Sequence, residues 1–402
     1  MRRTGVALYA ALLVGATSYG GVAFAAAAAA PPPVPPPPAM SGSASRVDVA
    51  TPTFSNPTSV TNPLFPKSAL AQVVQLGVEG GDRMRFEATQ LEDTRTITWN
   101  GRQVETRVTH FVGYRNGRMI EVALDYYAQA DDGSVWYFGE EVDNYSNGVV
   151  ADHNGTWLAG RDGPPGMIMP AHPKVGDVYR PENIPGLVFE EATVKAVNQT
   201  VDGPRGRVRG AMRMEAHLMD GSVEEKLYAP GYGEFQARVA SSDEFYQVAL
   251  AVPKDRRGSE VPSALSTISD GAANVFDAAP TTTWDRISAT VAGMASAWDR
   301  NRTRQVPELL ATQMGDALDA LRTAVAARVP ANVRQAAIGV AGASLDLQLP
   351  FEDLSDIDES RLEIWTLQLV VDRAQGDAAA VAGDRATLVA IEDRIGDQSS
   401  GS

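Results

Sequence analysis

LDYYAQADDGSVWYFGEEVDNYSNGVVADHNGTWLAGRDGPPGMIMPAHPKVGDVY, residues Leu124–Tyr179, decides how the rest of the chain is read. Side chains alternate between the two faces of a strand, so Trp136 and Phe138 point one way and Val135 and Tyr137 the other. Both faces are therefore apolar, and such a sheet has to be closed, stacked or covered. The expectation is a strongly curved antiparallel sheet, a half-barrel with a core on its concave side. Gly160 to Pro173 is too rich in Gly and Pro for a central strand and reads as a loop crossing one end of that sheet.

Outward from this stretch the same pattern recurs. Asn100-Gly101, Asn116-Gly117, Asp132-Gly133, Asn147-Gly148 and Asp220-Gly221 are dipeptides that tolerate the positive φ of type I′ turns, so each marks a hairpin tip. Between them, runs such as Gln103–Val112, Met119–Ala128, Arg207–Leu218 and Ser222–Tyr228 alternate as strands, and residues 62–252 read as one antiparallel meander of about eight to ten strands. From Ser263 the period becomes helical. Trp284, Ile287, Val291, Met294 and Trp298 form one stripe, and residues 263–396 read as five helices in an all-α bundle. Leu362, Ile364, Trp365, Leu367, Leu369 and Val371 cover most of one helix, expected to be the central one and capped at Asp358 and Gly376. A charged segment, residues 253–262, links the two parts, which are expected to pack independently. The fold class is thus α+β, a curved antiparallel meander followed by a helical bundle.

Arg2 and Arg3, an apolar run from Val6 to Val14, and Ala23-Phe24-Ala25 form the pattern of a secretory signal, residues 1–25, cleaved near Ala25. Residues 26–61 are rich in Ala, Pro, Ser and Thr and read as a disordered tether, with a polyproline II stretch at Pro31–Pro38; residues 397–402 read as a disordered tail. The expected location is secreted or periplasmic, with no stable membrane span after cleavage. The 402-residue chain contains no cysteine, which removes disulfides and thiolate chemistry. Its 50 acidic against 35 basic residues give a net charge of -15, against a nucleic-acid partner.

Three segments resemble a family of uncharacterised exported bacterial proteins. These are Asn62-Pro63-Leu64-Phe65-Pro66, Asp125–Glu140 as D-Y-x-A-Q-D-x-x-G-x-V-W-Y-F-G-E, and Trp157–Tyr179 as W-x-A-G-x-D-G with M-P-x-x-P-x-V-G-D-x-Y. Ala130 stands where the family pattern has an acid. The resemblance spans about Asn62 to Ala240 and implies export and a β domain. It brings no activity and no catalytic residue.

The chemistry is sparse. There is no G-x-S-x-G, no H-E-x-x-H and no phosphate-binding loop among residues that include only four histidines. Asp152-His153-Asn154-Gly155 sets carboxylate, imidazole and amide in a row, with Glu140, Glu141 and Asp143 one hairpin arm away. Asp152 and His153 are therefore candidate metal ligands, and oxygen-rich surroundings favour calcium if any ion is held. The alternative is a polar turn. His172, between Pro170 and Pro173, is a second candidate general base or simply a closing loop residue. His110 and His217 read as ordinary sheet residues. Tyr127, Trp136, Tyr137 and Trp157 are candidate ligand-binding residues, because aromatic walls on a concave sheet suit an apolar or amphipathic ligand, and they serve equally as core. Three functions follow: a non-enzymatic binding module for such a ligand or for a cell-envelope protein; a secreted hydrolase using His153 or His172 with nearby acids; and an assembly protein acting through its helices.

Overall fold

A computed structural model describes residues 45–239, 242–256, 259–302 and 306–399. The signal pattern and the polyproline stretch lie outside the described residues. After β1 (Ser45–Arg46), a meander runs through β2 (Leu70–Glu79), β3 (Asp82–Trp99), β4 (Arg102–Arg115), β5 (Arg118–Gln129), β6 (Val135–Ser146) and β7 (Val149–Asp152). The short β8 (Trp157–Leu158) and β9 (Gly166–Met169) both pair with β6. A second meander follows: β10 (Asp177–Ile184), β11 (Val188–Gly203), β12 (Gly206–Leu218), β13 (Val223–Ala229), β14 (Gly233–Val239) and β15 (Phe245–Pro253). β15 pairs with β2 and fuses the two meanders into one open fifteen-stranded sheet, antiparallel except where β1 runs parallel to β10.

The Asn-Gly tips behave as the dipeptides dictate. Asn100, Asn116 and Asn147 all have φ near 50°, and the glycine after each is also positive, the signature of a type I′ turn. The two Asp-Gly tips differ. Only Gly133 and Gly221 are left-handed, and the Asp132 and Asp220 carboxylates instead accept from the backbone N–H of Ser134 and Ser222, each at 2.9 Å. A short acceptor two residues before a free N–H favours this local bond over the primed turn.

The sheet curls until its halves meet. Met84, Phe86 and Phe111 of the first meander pack in one cluster with Ala237, Val239 and Tyr246 of the second. The stretch from Gly160 to Pro173 is not only a loop. Its β9 is buried throughout and lies against β10 at the seam between the sheet's two ends. Gly166 makes this approach possible, because a Cβ there would fall 1.8 Å from the Pro181 carbonyl oxygen. Residues 45–61, expected to be disordered, instead lie along the sheet. Phe54 sits edge-on to Phe138 at 5.4 Å, and the carbonyls of Thr53 and Pro57 accept from Asp131 and Gln129 N–H, both at 2.8 Å.

Six helices follow rather than five: α1 (Ser263–Ala278), α2 (Trp284–Asn301), α3 (Glu308–Ala327), α4 (Pro330–Gln348), α5 (Leu354–Gln375) and α6 (Ala378–Ser399). They do not pack on one another alone. Val74, Leu250 and Val252 on the sheet's outer face join the helical core. The central helix is α4, which packs on α1, α3 and α5. On α5 the buried positions are Ile357, Asp358, Arg361, Gln368, Val371 and Asp372, so its inward face mixes two apolar side chains with four polar or charged ones. Asp358 is no cap; its carboxylate takes a two-pronged contact from Arg394 of α6, at 2.8 and 2.7 Å.

That contact belongs to a buried ion network between sheet and helices. Arg85 of β3 grips Asp346 of α4 at 2.6 and 2.7 Å and Glu87 at 2.9 Å, while Arg394 also reaches Glu87 at 3.3 Å. Arg361 completes a set of three guanidinium and three carboxylate groups. Opposite charges in equal number keep Glu87 and Asp358 ionised against the cost of burial, with the pKa of each held low by Arg394 and Arg361. Burial holds His110, which lies beside the network, down to a pKa of about 3, so it stays neutral.

Candidate functional site

The alternation that sends Arg85 and Glu87 outward sends Phe86 inward, and the same rule fills the concave side with acids. On β5, Glu121 and Asp125 share a face with Ala123; their cross-strand partners on β6 are Asn144 and Glu140. From the second meander come Glu182 of β10, Glu190 of β11, and Glu224 and Lys226 of β13. Glu121, Asp125, Glu140, Glu182, Glu190 and Glu224 are each at most 3 % exposed. The acids thus line an interior of tyrosines, not a solvated strand face.

Two lysines answer part of this charge. Lys226 stands between Glu190 at 3.2 Å and Glu224 at 3.1 Å. Burial works against its ammonium, yet those two carboxylates and Glu234 hold its pKa well above the usual lysine value. Lys67 enters from the 3-10 turn after Pro66 and lays its ammonium over the rings of Phe65 at 4.8 Å and Tyr127 at 5.0 Å. Burial lowers its pKa to about 8, opposed by Asp125 and Glu234.

The half of the interior made by β5, β6 and β10 is less well answered. Burial, then the neighbouring Glu140 and Asp125, raise the Glu121 pKa well above the usual carboxylate value. Glu140 and Glu182 are raised for the same reason, burial first and neighbouring acids second. Asp125 is pushed up to about 7 by burial, against Lys67 and the Tyr137 hydroxyl that donates to it at 2.9 Å. Neither carboxylate oxygen of Glu121 has a hydrogen-bond partner, nor do Glu182 Oε1 and Asn144 Oδ1.

The four aromatic candidates are all in the core. Tyr127 stacks on Tyr137 at 4.9 Å, Tyr137 meets Trp157 edge-on at 5.4 Å, and Trp136 donates its indole N–H to Ser134 at 2.9 Å. Tyr127 and Tyr137 face the acids, so they form the aromatic wall of the same interior.

The histidine candidates lie elsewhere. His153 is exposed, with Nδ1 3.0 Å from the Val142 carbonyl and 2.8 Å from Asp143. His172 is also exposed. Asp152 accepts from Asn144 Nδ2 at 2.8 Å and from Asn154 N–H at 3.0 Å, which is the polar-turn arrangement. Glu140 and Glu141 point to opposite faces, and Glu141 is taken by Arg95 and Tyr126. Among the described residues no three His, Cys, Asp or Glu side chains converge to hold a metal ion. No helix among them is long and apolar enough to cross a membrane.

The interior acids are hard to find in the sequence because charged residues stand on both faces: α6 covers β3 and β5 from outside, and β13 keeps Glu225 outside and Glu224 inside. An acid on every second position then looks like the solvent face. The signal was a lysine set beside an acid and a tyrosine on one strand face, as in Glu224-x-Lys226-x-Tyr228. No known protein family, curated protein or solved structure matches the chain.

Proposed function

We propose that the protein is a non-enzymatic binding module acting outside the cytoplasm, and that its ligand is held on the concave side of the curved sheet. The observation that carries this reading is the set of buried acceptors without donors: both oxygens of Glu121, with Glu182 Oε1 and Asn144 Oδ1, beside the Tyr127–Tyr137 wall. Leaving buried polar atoms unpaired costs on the order of 1–3 kcal/mol each, a cost that a donor-bearing ligand removes. The carboxylates favour a polar ligand with an aromatic-compatible body over a purely apolar one.

The signal pattern at Met1–Ala25 and the resemblance of Asp125–Glu140 and Trp157–Tyr179 to exported bacterial proteins support the location. The hydrolase reading draws less support. His153 and His172 stand on the exterior, away from the acids of the interior. Native mass spectrometry of protein purified from a bacterial periplasm tests the proposal. The expected result is a bound small molecule released on unfolding. A ligand-free mass, together with tryptophan emission indifferent to amine, glycan and lipid panels, sinks it.

A further inference from the structure

The ligand's chemistry follows from what Glu121 and its cross-strand partner lack, and the inference rests on the binding reading above. Asn144 is 1 % exposed and faces the same side as Glu121. Its Nδ2 donates to Asp152 Oδ1 at 2.8 Å and to the Asn154 carbonyl at 3.0 Å, so two acceptors fix the orientation of the amide. Its Oδ1 is therefore an acceptor, and it has no donor. With the two oxygens of Glu121 this makes three buried oxygens without partners on one patch, and all three are acceptors once a cation beside them favours the ionised form of Glu121.

Three acceptors, one pair of them on an acid that ionises only beside a cation, call for three donors and a positive charge. A primary ammonium has that inventory. A quaternary ammonium carries the charge without the N–H groups and leaves the acceptors unpaired. A neutral alcohol brings one donor and no charge. The same interior already uses the solution twice: the Lys67 ammonium rests on Phe65 and Tyr127 near Asp125, and the Lys226 ammonium bridges Glu190 and Glu224. We propose that Glu121 and Asn144 form a binding site for the primary ammonium group of a small organic amine, with Asp152 as the residue that positions Asn144. Asp152 is half-buried and Asn154 exposed, so the turn that holds Asn144 is also the site's boundary with solvent.

The test uses the full chain with n-butylammonium as probe, and tetramethylammonium and n-butanol as controls, by titration calorimetry and thermal melting near pH 8. Saturable binding and a rise in Tm are expected with n-butylammonium alone. Glu121→Gln removes the ionisable carboxyl and keeps its shape, is expected to fold, and should weaken the probe by about ten-fold or more. Asp152→Ala should weaken it less, and Asp152→Asn, which keeps an acceptor for Asn144, should restore much of the loss. Equal binding to wild type and Glu121→Gln overturns the assignment, as does a melt that responds equally to n-butanol. If no amine binds but native mass spectrometry finds a neutral or anionic ligand on the wild type, the ammonium site fails and the binding module stands. If neither binds, both fail.

Discussion

Glu121 and Arg394 are both buried ionisable groups, and they differ in company. Arg394 is fully buried with Asp358 and Glu87 for partners, so Arg394→Ala leaves three buried carboxylates facing two guanidinium groups between sheet and helices. We expect a loss of about 3–5 kcal/mol, read by denaturant unfolding, and a loss below about 1 kcal/mol would contradict the network's role. Glu121 has no cation on it in the structure. With its pKa raised, the folded chain has to keep a proton that the unfolded chain releases, or else carry a costly buried charge, so the stabilisation of the ligand-free protein by Glu121→Gln should grow as pH rises from 5 to 8, read by thermal melting. At this scale the sequence was least informative. Asp152 and His153 stood out as polar residues in a turn and are mostly that, although Asp152 acquires a second task through Asn144. Glu121 and Asp125 did not stand out because alternation alone does not say which face of a strand water reaches.

At the level of elements the reading was better where turn chemistry decides, and weaker where covering layers decide. Asn-Gly tips placed the hairpins, since two consecutive positive φ values are cheap only for such pairs. The inward face of α5 was only half legible, because beside the buried Ile357 and Val371 it also turns Asp358 and Arg361 inward to the ion network. Composition likewise hid β9, whose glycine is the reason a strand fits at the seam rather than a reason against one. Gly166→Val should therefore push β9 from β10, costing about 1–3 kcal/mol or more and lowering hydrogen-exchange protection at Met167 and Ile168 first. Unchanged protection there would show that the seam tolerates separation.

For the whole molecule the two layers pull stability in opposite directions with pH. Asp125 and Glu224 have folded pKa values of about 7, above their usual values, so their contribution is complete below about pH 4 and is lost as pH rises through 7. Asp384, raised to about 7, and Glu244, raised to about 8, act in the same sense. Glu87 and Asp358 are lowered by their arginines, and His110 by its burial. They lose stability as pH falls, His110 from about 6.5 downward and the carboxylates below about 4. Stability should peak where these windows meet, near pH 4 to 5, because above that four raised acids outweigh the single His110, and Tm should be lower at pH 8 by about 5 °C or more. A Tm that rises from pH 5 to 8 would contradict the protonated interior.

The central claim is that the acid-lined concave face is a ligand site for an amine. Native mass spectrometry of the wild type beside Glu121→Gln, each incubated with n-butylammonium, tests it most directly. The account predicts a one-to-one adduct on the wild type that is absent or strongly reduced on the folded variant. An identical adduct population on both, or none on either, would contradict it.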